Sequence, residues 1–92
     1  MIPYIISYDL NKTGQDYKTL KEKIEELANG YWHHLDSTWI IFSSKTAKQI
    51  CSELKKCIDS NDELLVVEIT KNADWIGFNK SGTDWLEKHI IK

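Results

Sequence analysis

The chain opens with an apolar run that is rich in β-branched residues, extends over residues 2–8 and ends at Asp9. A run of this length and composition predicts a strand in the middle of a sheet, because both of its faces carry apolar side chains. The polar residues that follow it predict a loop. Asp9 is therefore expected at the end of the sheet, where a metal ion or a phosphate group can reach its carboxylate.

Helical and extended patterns alternate after this strand. Asp16 is placed to cap a first helix, whose apolar residues recur every three or four positions until Asn29-Gly30. Charged side chains, Lys21 among them, occupy the other face of this helix, which is typical of a solvated surface. Residues 31–43 are aromatic and β-branched and predict two strands with a break near Asp36-Ser37.

The next segments predict a second helix that begins after Ser44, a turn over residues 59–62 and a strand over residues 63–70. Residues 74–78 predict a short edge strand, and a final helix is expected to follow it. Ser81 and Thr83 are the two candidates for the start of that helix, and Ser81 has the spacing to Asp84 of a capping box.

The order of the elements, β-α-β-β-α-β, predicts a ferredoxin-like α+β fold. We expect a single domain over residues 1–92, with a core of about residues 2–70 and a C-terminal strand and helix over about residues 71–92. Both faces of the predicted third strand are apolar, with Trp39 on one and Phe42 on the other. A further layer is therefore expected to cover the second face, and a second subunit is the predicted source.

The charge balance limits the classes of partner. Twelve basic and fourteen acidic side chains give a formal net charge of −2, and all the basic ones are Lys. Nucleic-acid modules usually carry a basic excess and use Arg on phosphates, so this composition weighs against tight duplex binding. Cys51 and Cys57 are expected to be unpaired thiols of a reduced, cytoplasmic protein, and no signal segment or membrane span is predicted.

Several segments, in their order and spacing, resemble a known family. The chain is similar over about residues 2–70 to CRISPR-associated protein two, the small ferredoxin-like protein of CRISPR adaptation, and also to virulence-associated protein D, a ribonuclease-like toxin. The segments that carry the resemblance are Tyr8-Asp9-Leu10, the helix end at Gly30, residues 34–42, the helix through Leu54, and residues 58–64.

The resemblance implies a homodimer in which two sheets pack together and each subunit offers one aspartate to a shared divalent metal, Mg²⁺. In this sequence that aspartate is Asp9, and Ser37 matches the family's serine that precedes an aromatic or aliphatic strand residue. Lys12 and His34 stand near positions where relatives carry basic residues that contact nucleic acid. Activity in such proteins ranges from metal-dependent cleavage to a structural, DNA-holding role.

Two adjacent histidines are further candidates. His33 and His34 are expected to point to opposite faces of a strand, so that at most one joins a site with Asp9. A histidine with a near-neutral pKa can act as general acid or base on a ribose hydroxyl, and His33 is the candidate for that role. Trp32 is expected to be exposed and to stack on bases. The alternative for all three side chains is a packing role in the sheet.

The resemblance thus implies a homodimeric nucleic-acid-binding protein, with metal-dependent endonuclease activity on RNA or DNA as one of the roles it allows and Asp9 as the candidate catalytic residue and metal ligand. Its other catalytic candidates are Ser37 and His33, and a further protein of a defence or adaptation complex is a candidate partner. Two alternatives stay open. The chain can be a non-catalytic homodimeric module that binds a nucleotide or a protein, and Asp9 can simply anchor the loop that follows it.

Overall fold

The computed structural model describes residues 1–11 and 18–91. Strands and helices follow each other in the order β-α-β-β-α-β-α, which confirms the ferredoxin-like α+β fold. The elements are β1 Ile2–Asp9, α1 Lys18–Leu27, β2 Tyr31–Leu35, β3 Thr38–Ser43, α2 Ala47–Lys55, β4 Glu63–Glu68 and α3 Lys80–Leu86, which continues as a π-helical turn over Glu87–Ile91.

The four strands form one antiparallel sheet in the order β2-β3-β1-β4. β1 is an interior strand, as its apolar run predicts, and its residue Ile5 pairs with Ile40 on one side and Val67 on the other. β2 and β4 are the two edges. The predicted break between β2 and β3 is confirmed at residues 36–37, where the chain turns.

Helices α1 and α2 cover one face of the sheet. Each helix buries two residues spaced four apart, Leu20 and Ile24 in α1 and Ile50 and Leu54 in α2, because this spacing places both side chains on one helix face. The sheet contributes the alternate residues of β1 and β3 to the same core, namely Tyr4, Ile6, Tyr8, Trp39 and Ile41. The buried indole N–H of Trp39 donates to the Tyr8 hydroxyl at 3.2 Å.

The C-terminal part of the chain covers part of the opposite face, where the sequence predicts a second subunit. Trp32, Leu86 and Ile90 form a second buried cluster there, with Ile40 and Phe42 of β3 packed against it. The covering layer at β2 and β3 therefore comes from the same chain. Near β4 the face stays open, since Leu65 is 56% exposed and Val67 is 43% exposed.

The second helix starts two residues later than the sequence predicts. Thr46, and not Ser44, is the N-cap of α2. The Thr46 hydroxyl accepts from the Gln49 amide at 3.1 Å, and the Gln49 side chain accepts from the Thr46 amide at 2.9 Å. Ser44 cannot form this reciprocal capping box, because the residue three positions after it is Ala47. The helix therefore begins after Thr46 and not after Ser44.

The C-terminal segment also differs from the prediction. Residues 74–78 form no strand, because the Trp75 amide bonds to the Asp74 side chain at 2.9 Å and Gly77 turns the chain with φ of 92°. The final helix is capped by Asn79, whose side chain accepts from the Gly82 amide at 2.9 Å, and not by Ser81 or Thr83.

Three smaller predictions have separate outcomes. Asp16, the predicted cap of α1, lies outside the described residues. β4 ends at Glu68, although the Ile69 amide still donates to the Pro3 carbonyl at 2.9 Å. Cys51 and Cys57 are unpaired and half-buried.

The described helices are all too short and too polar to cross a bilayer.

Candidate functional site

Asp9 lies at the end of β1, on the face of the sheet that the helices α1 and α2 do not cover. The alternation of side chains along the strand sends Tyr8 into the helix-covered core and Asp9 to the other side. The Asp9 side chain is exposed and makes no hydrogen bond or ion pair with a described residue. It is therefore available to a ligand.

Glu63 lies directly opposite Asp9 in the sheet. The register of the β1–β4 pair places these two residues across from each other, so their side chains extend from the same face. Two carboxylates in this position repel each other, and the described residues provide no cation that pairs with either of them. The sequence analysis placed Glu63 only at the start of a strand. Its position opposite Asp9 depends on the antiparallel register, which the sequence alone did not reveal.

The loop after β1 is held by Asp62, and not by Asp9, among the residues that the structure describes. The Asp62 carboxylate accepts from the Asn11 amide at 2.8 Å and from the Asp59 amide at 2.8 Å. The Asn11 side chain in turn donates to the Asn61 carbonyl at 2.6 Å. Asp62 of the turn before β4 thus anchors the start of this loop at Asn11, while loop residues 12–17, on which the alternative for Asp9 depends, lie outside the described residues.

Ser37 is the predicted site residue that the fold brings next to Asp9. The turn between β2 and β3 lies beside the end of β1, and the Tyr8 amide donates to the Ser37 carbonyl at 3.1 Å. Asp9 and the exposed Ser37 line a cavity of about 290 Å³, together with Asp36 of the same turn. Ser37 and Asp9 are therefore neighbours at this end of the sheet.

Lys21 lines this cavity as well, from helix α1. The sequence analysis assigned Lys21 to a solvated helix face, and its side chain is indeed exposed. The fold brings this lysine to the end of β1, which places a cation near Asp9 and Ser37. An ammonium group at this position can neutralise the charge of a phosphate.

His33 points away from Asp9. Its ring stacks on that of Trp39, with centroids 3.8 Å apart and an interplanar angle of 11°, on the helix-covered side of the sheet. Its Nε2 lies 3.2 Å from the Asp36 carbonyl. His33 lines neither of the cavities at Asp9. As predicted, the two histidines lie on opposite faces, and the geometry gives His33 a packing role.

Trp32 and His34, the predicted nucleic-acid contacts that lie within the described residues, are apart from Asp9. Trp32 is only 3% exposed, so the prediction of an exposed ring for base stacking is wrong. Its indole N–H donates to the Gly82 carbonyl at 3.1 Å, because α3 packs over β2. His34 is exposed but lies against the ring of Trp32, with centroids 5.0 Å apart. Lys12 lies outside the described residues.

The donor set at the end of the sheet suits a hard cation. Asp9 and Glu63 offer carboxylate oxygens, the ligands that Mg²⁺ prefers, and Mg²⁺ commonly keeps several waters beside one or two protein carboxylates. No group of three or more His, Cys, Asp or Glu with metal-binding geometry exists within the described part of the chain. Asp9 and Glu63 alone therefore supply fewer oxygen ligands than Mg²⁺ takes.

The perturbed pKa values belong to surface ion pairs away from this site. A hydrogen bond from Lys56 lowers the pKa of the Glu53 carboxyl, and hydrogen bonds from Lys23 to Glu26 and from Lys80 to Asp84 raise the pKa of these two lysines. None of these groups lines a cavity at Asp9. Their pKa shifts therefore reflect interactions on the helix surfaces.

Comparison of the chain with protein-family models, with curated proteins and with solved structures finds no match. The fold and the geometry at the end of the sheet are therefore the basis for assigning a function.

Proposed function

We propose that this chain is a homodimeric nucleic-acid-binding protein that hydrolyses phosphodiester bonds with the help of Mg²⁺. The observation that carries the proposal is the pair formed by Asp9 and Glu63, two exposed carboxylates directly opposite each other on the open face of the sheet. Such a pair is unfavourable by itself and becomes favourable when it shares a divalent cation. The resemblance to CRISPR-associated protein two supports the same assignment for Asp9.

The residues around this pair have separate roles in the proposal. Asp9 and Glu63 hold the metal, which would supply an activated water and charge neutralisation at the phosphate. Lys21 binds a nonbridging phosphate oxygen of the substrate through its ammonium group. The Ser37 hydroxyl donates to a second phosphate oxygen and orients the phosphodiester in the cavity that it shares with Asp9.

A second subunit completes the site. Asp9 and Leu65 extend from the same open face, because β1 and β4 alternate in register and Leu65 lies two residues beyond Glu63. The exposed Leu65 and Val67 provide an apolar surface on which another copy can pack. A twofold axis near this surface would bring two pairs of carboxylates towards each other and raise the number of oxygen ligands.

The substrate that best fits the charge is a single-stranded or otherwise accessible nucleic acid. A chain without Arg and with a net charge of −2 has a weak electrostatic attraction for duplex DNA. Lys21 and Ser37 offer contacts to one phosphate at a time. Recognition by this site would thus depend on local contacts and on the metal.

The experiment compares cleavage of labelled single-stranded RNA, single-stranded DNA and duplex DNA by the wild type, Asp9→Asn and Glu63→Gln. Reactions contain Mg²⁺, Mn²⁺ or a chelator. Glu68→Gln is the matched control, since Glu68 is an exposed carboxylate at the other end of the same strand. We expect metal-dependent cleavage by the wild type and the control, and a loss of at least about tenfold in the other two variants.

Two further readouts separate metal binding from catalysis. Calorimetric titration with Mn²⁺ should show a site in the wild type that both variants lose. Leu65→Asp should shift the sedimentation coefficient towards that of the monomer and reduce cleavage at low protein concentration. Equal cleavage by the wild type and Asp9→Asn, or cleavage that survives the chelator, contradicts the proposal.

A non-catalytic homodimeric module that binds a nucleotide or a protein partner is the second candidate. The observation in its favour is that no group of three or more His, Cys, Asp or Glu with metal-binding geometry exists among the described residues, and that His33 packs on Trp39 outside the cavities at Asp9. Saturable binding of a mononucleotide by the wild type, with no cleavage of any substrate in either metal, selects this alternative.

A further inference from the structure

A second, chemically different depression lies on the open face of the sheet, between the strands and the irregular segment of residues 70–79. This groove has a volume of about 370 Å³. Ile5, Ile40 and Ile69 line it from the sheet side, and Trp75 and Phe78 line it from the segment. Its volume lies within the range of small-molecule sites in proteins.

The polar groups of the groove wall already have partners within the protein. The Trp32 indole N–H donates to the Gly82 carbonyl at 3.1 Å, and the Thr38 hydroxyl lies 3.2 Å from the Ser7 hydroxyl. The wall therefore offers apolar contact with few free hydrogen-bonding groups. Ile76 at the rim is 93% exposed, so apolar surface around the groove is in contact with water. An apolar ligand would remove such surface from water.

Asp74 is the one ionisable side chain among the described residues that line the groove. One of its carboxylate oxygens accepts from the Trp75 backbone amide at 2.9 Å, and Asp74 and Trp75 both line the groove. A groove lined by both a carboxylate and an aromatic ring favours an organic cation, because the cation can gain an ion pair as well as the attraction of the ring. An anion would be repelled.

We propose that this groove binds a small organic cation that has an aryl or alkyl body and one ammonium group. The ammonium lies at the Asp74 carboxylate, and the apolar body lies along Ile40, Ile69 and the Trp75 ring. The proposal is independent of the proposed nuclease site, since the groove shares no lining residue with the cavities at Asp9. Either site can fail its test without affecting the other.

The test uses phenethylamine as the cationic probe and 3-phenylpropionate as an anion of similar shape and size. Binding to the full chain is measured by calorimetry and by the shifts of backbone amide resonances in NMR spectra. We expect saturable binding of phenethylamine with the shifts centred on residues 73–78, and binding of 3-phenylpropionate that is at least about tenfold weaker.

Two variants assign the contacts. Asp74→Asn keeps the acceptor for the Trp75 amide but removes the charge, and it should weaken phenethylamine about threefold to tenfold while reducing the preference over the anion. Ala73→Phe enlarges an exposed side chain in the groove wall and should block both probes. Glu68→Gln is the control for a lost exposed carboxylate elsewhere, and it should leave the affinity unchanged.

Three results overturn the proposal. The first is the absence of saturable binding by the wild type, and the second is equal affinity for the cation and the anion. The third is a wild type that excludes phenethylamine while it sediments as a dimer, combined with an Ile76→Asp variant that sediments as a monomer. That last result would assign the groove to a second copy of the chain.

Discussion

The indole N–H of Trp32 donates to the carbonyl oxygen of Gly82, 3.1 Å away and buried. This bond joins edge strand β2 to the C-terminal helix α3, fifty residues further along the chain. Phe78 packs edge-on against the same indole, with ring centroids 4.8 Å apart. Trp32 is thus the residue around which the C-terminal segment is assembled.

Removal of this hydrogen bond should destabilise the whole domain. Trp32→Phe removes the indole donor of this bond and should cost about 0.5–1.5 kcal/mol in the free energy of unfolding. Trp32→Ala also leaves a cavity and should cost about 3–5 kcal/mol. Urea unfolding followed by circular dichroism measures both values. If Trp32→Ala lowers the free energy of unfolding by less than about 0.5 kcal/mol, α3 does not depend on this contact.

Gly82 and His34 should be energetically coupled. A Cβ atom added at Gly82 would lie 3.3 Å from the His34 ring, closer than ordinary packing allows. Alanine at this helical position should gain up to about 1 kcal/mol from helix propensity, but only when the histidine ring is absent. We expect Gly82→Ala to stabilise the His34→Ala background more than the wild type, by at least about 0.5 kcal/mol in a double-mutant cycle. Simple additivity would contradict the close packing.

Charge removal at the end of the sheet should stabilise the metal-free protein. Asp9→Asn and Glu63→Gln each relieve the repulsion between two directly opposed carboxylates, which is worth about 0.2–1 kcal/mol. Mg²⁺ should raise the thermal midpoint of the wild type and leave that of both variants unchanged, since a ligand stabilises only the state that binds it. Differential scanning calorimetry with Mg²⁺ or a chelator provides the measurement, and Glu68→Gln serves as the control.

The choice of helix cap predicts a clear difference between two neighbouring hydroxyl residues. Thr46→Ala removes the acceptor of the Gln49 amide and should destabilise the protein by about 1 kcal/mol. Ser44→Ala should change the stability by less than about 0.5 kcal/mol, because Ser44 is exposed and is not the cap. Equal effects of the two substitutions in urea unfolding would contradict the assigned start of α2.

The two ion pairs of Glu53, one within the end of α2 and one to α1, predict a small dependence of stability on pH. Lys56 donates to Glu53 at 3.2 Å and Lys23 lies 3.5 Å from the same carboxylate, and these contacts lower the pKa of Glu53. A lowered pKa in the folded state gives stabilisation that is present above the unfolded-state pKa and is lost as the pH falls through the folded-state pKa. The stability difference between the wild type and Glu53→Gln should therefore shrink on acidification. It should also shrink at high salt, because the pair is solvated.

The strands and turns that depend on residues close together in the sequence could be predicted from local hydrophobic and turn patterns. The apolar run before Asp9 correctly placed an interior strand, and the break near Asp36-Ser37 correctly separated β2 from β3. The cap of α2 was missed because Ser44 and Thr46 are similar hydroxyl residues. Gln49, three positions after Thr46, was the signal that could have distinguished them.

Features that depend on distant parts of the chain were harder to predict. The sequence pattern predicts that Trp32 is an exposed aromatic residue of an edge strand. The fold buries it because α3 packs over β2. Glu63 belongs to the candidate site only through its register with Asp9. In the same way, Lys21 is one of several similar charged residues on a helix, and the fold alone brings it to the cavity at the end of β1.

The position of α3 has a geometric consequence for any macromolecule that approaches the sheet. The helix occupies the half of the face above β2 and β3, so a partner meets only β1 and β4. The partner would therefore contact one side of the molecule, near the free edge of β4 and the end of the sheet that carries Asp9. A partner bound in this off-centre manner would have a narrow footprint, and its affinity would depend on a few side chains along one strand.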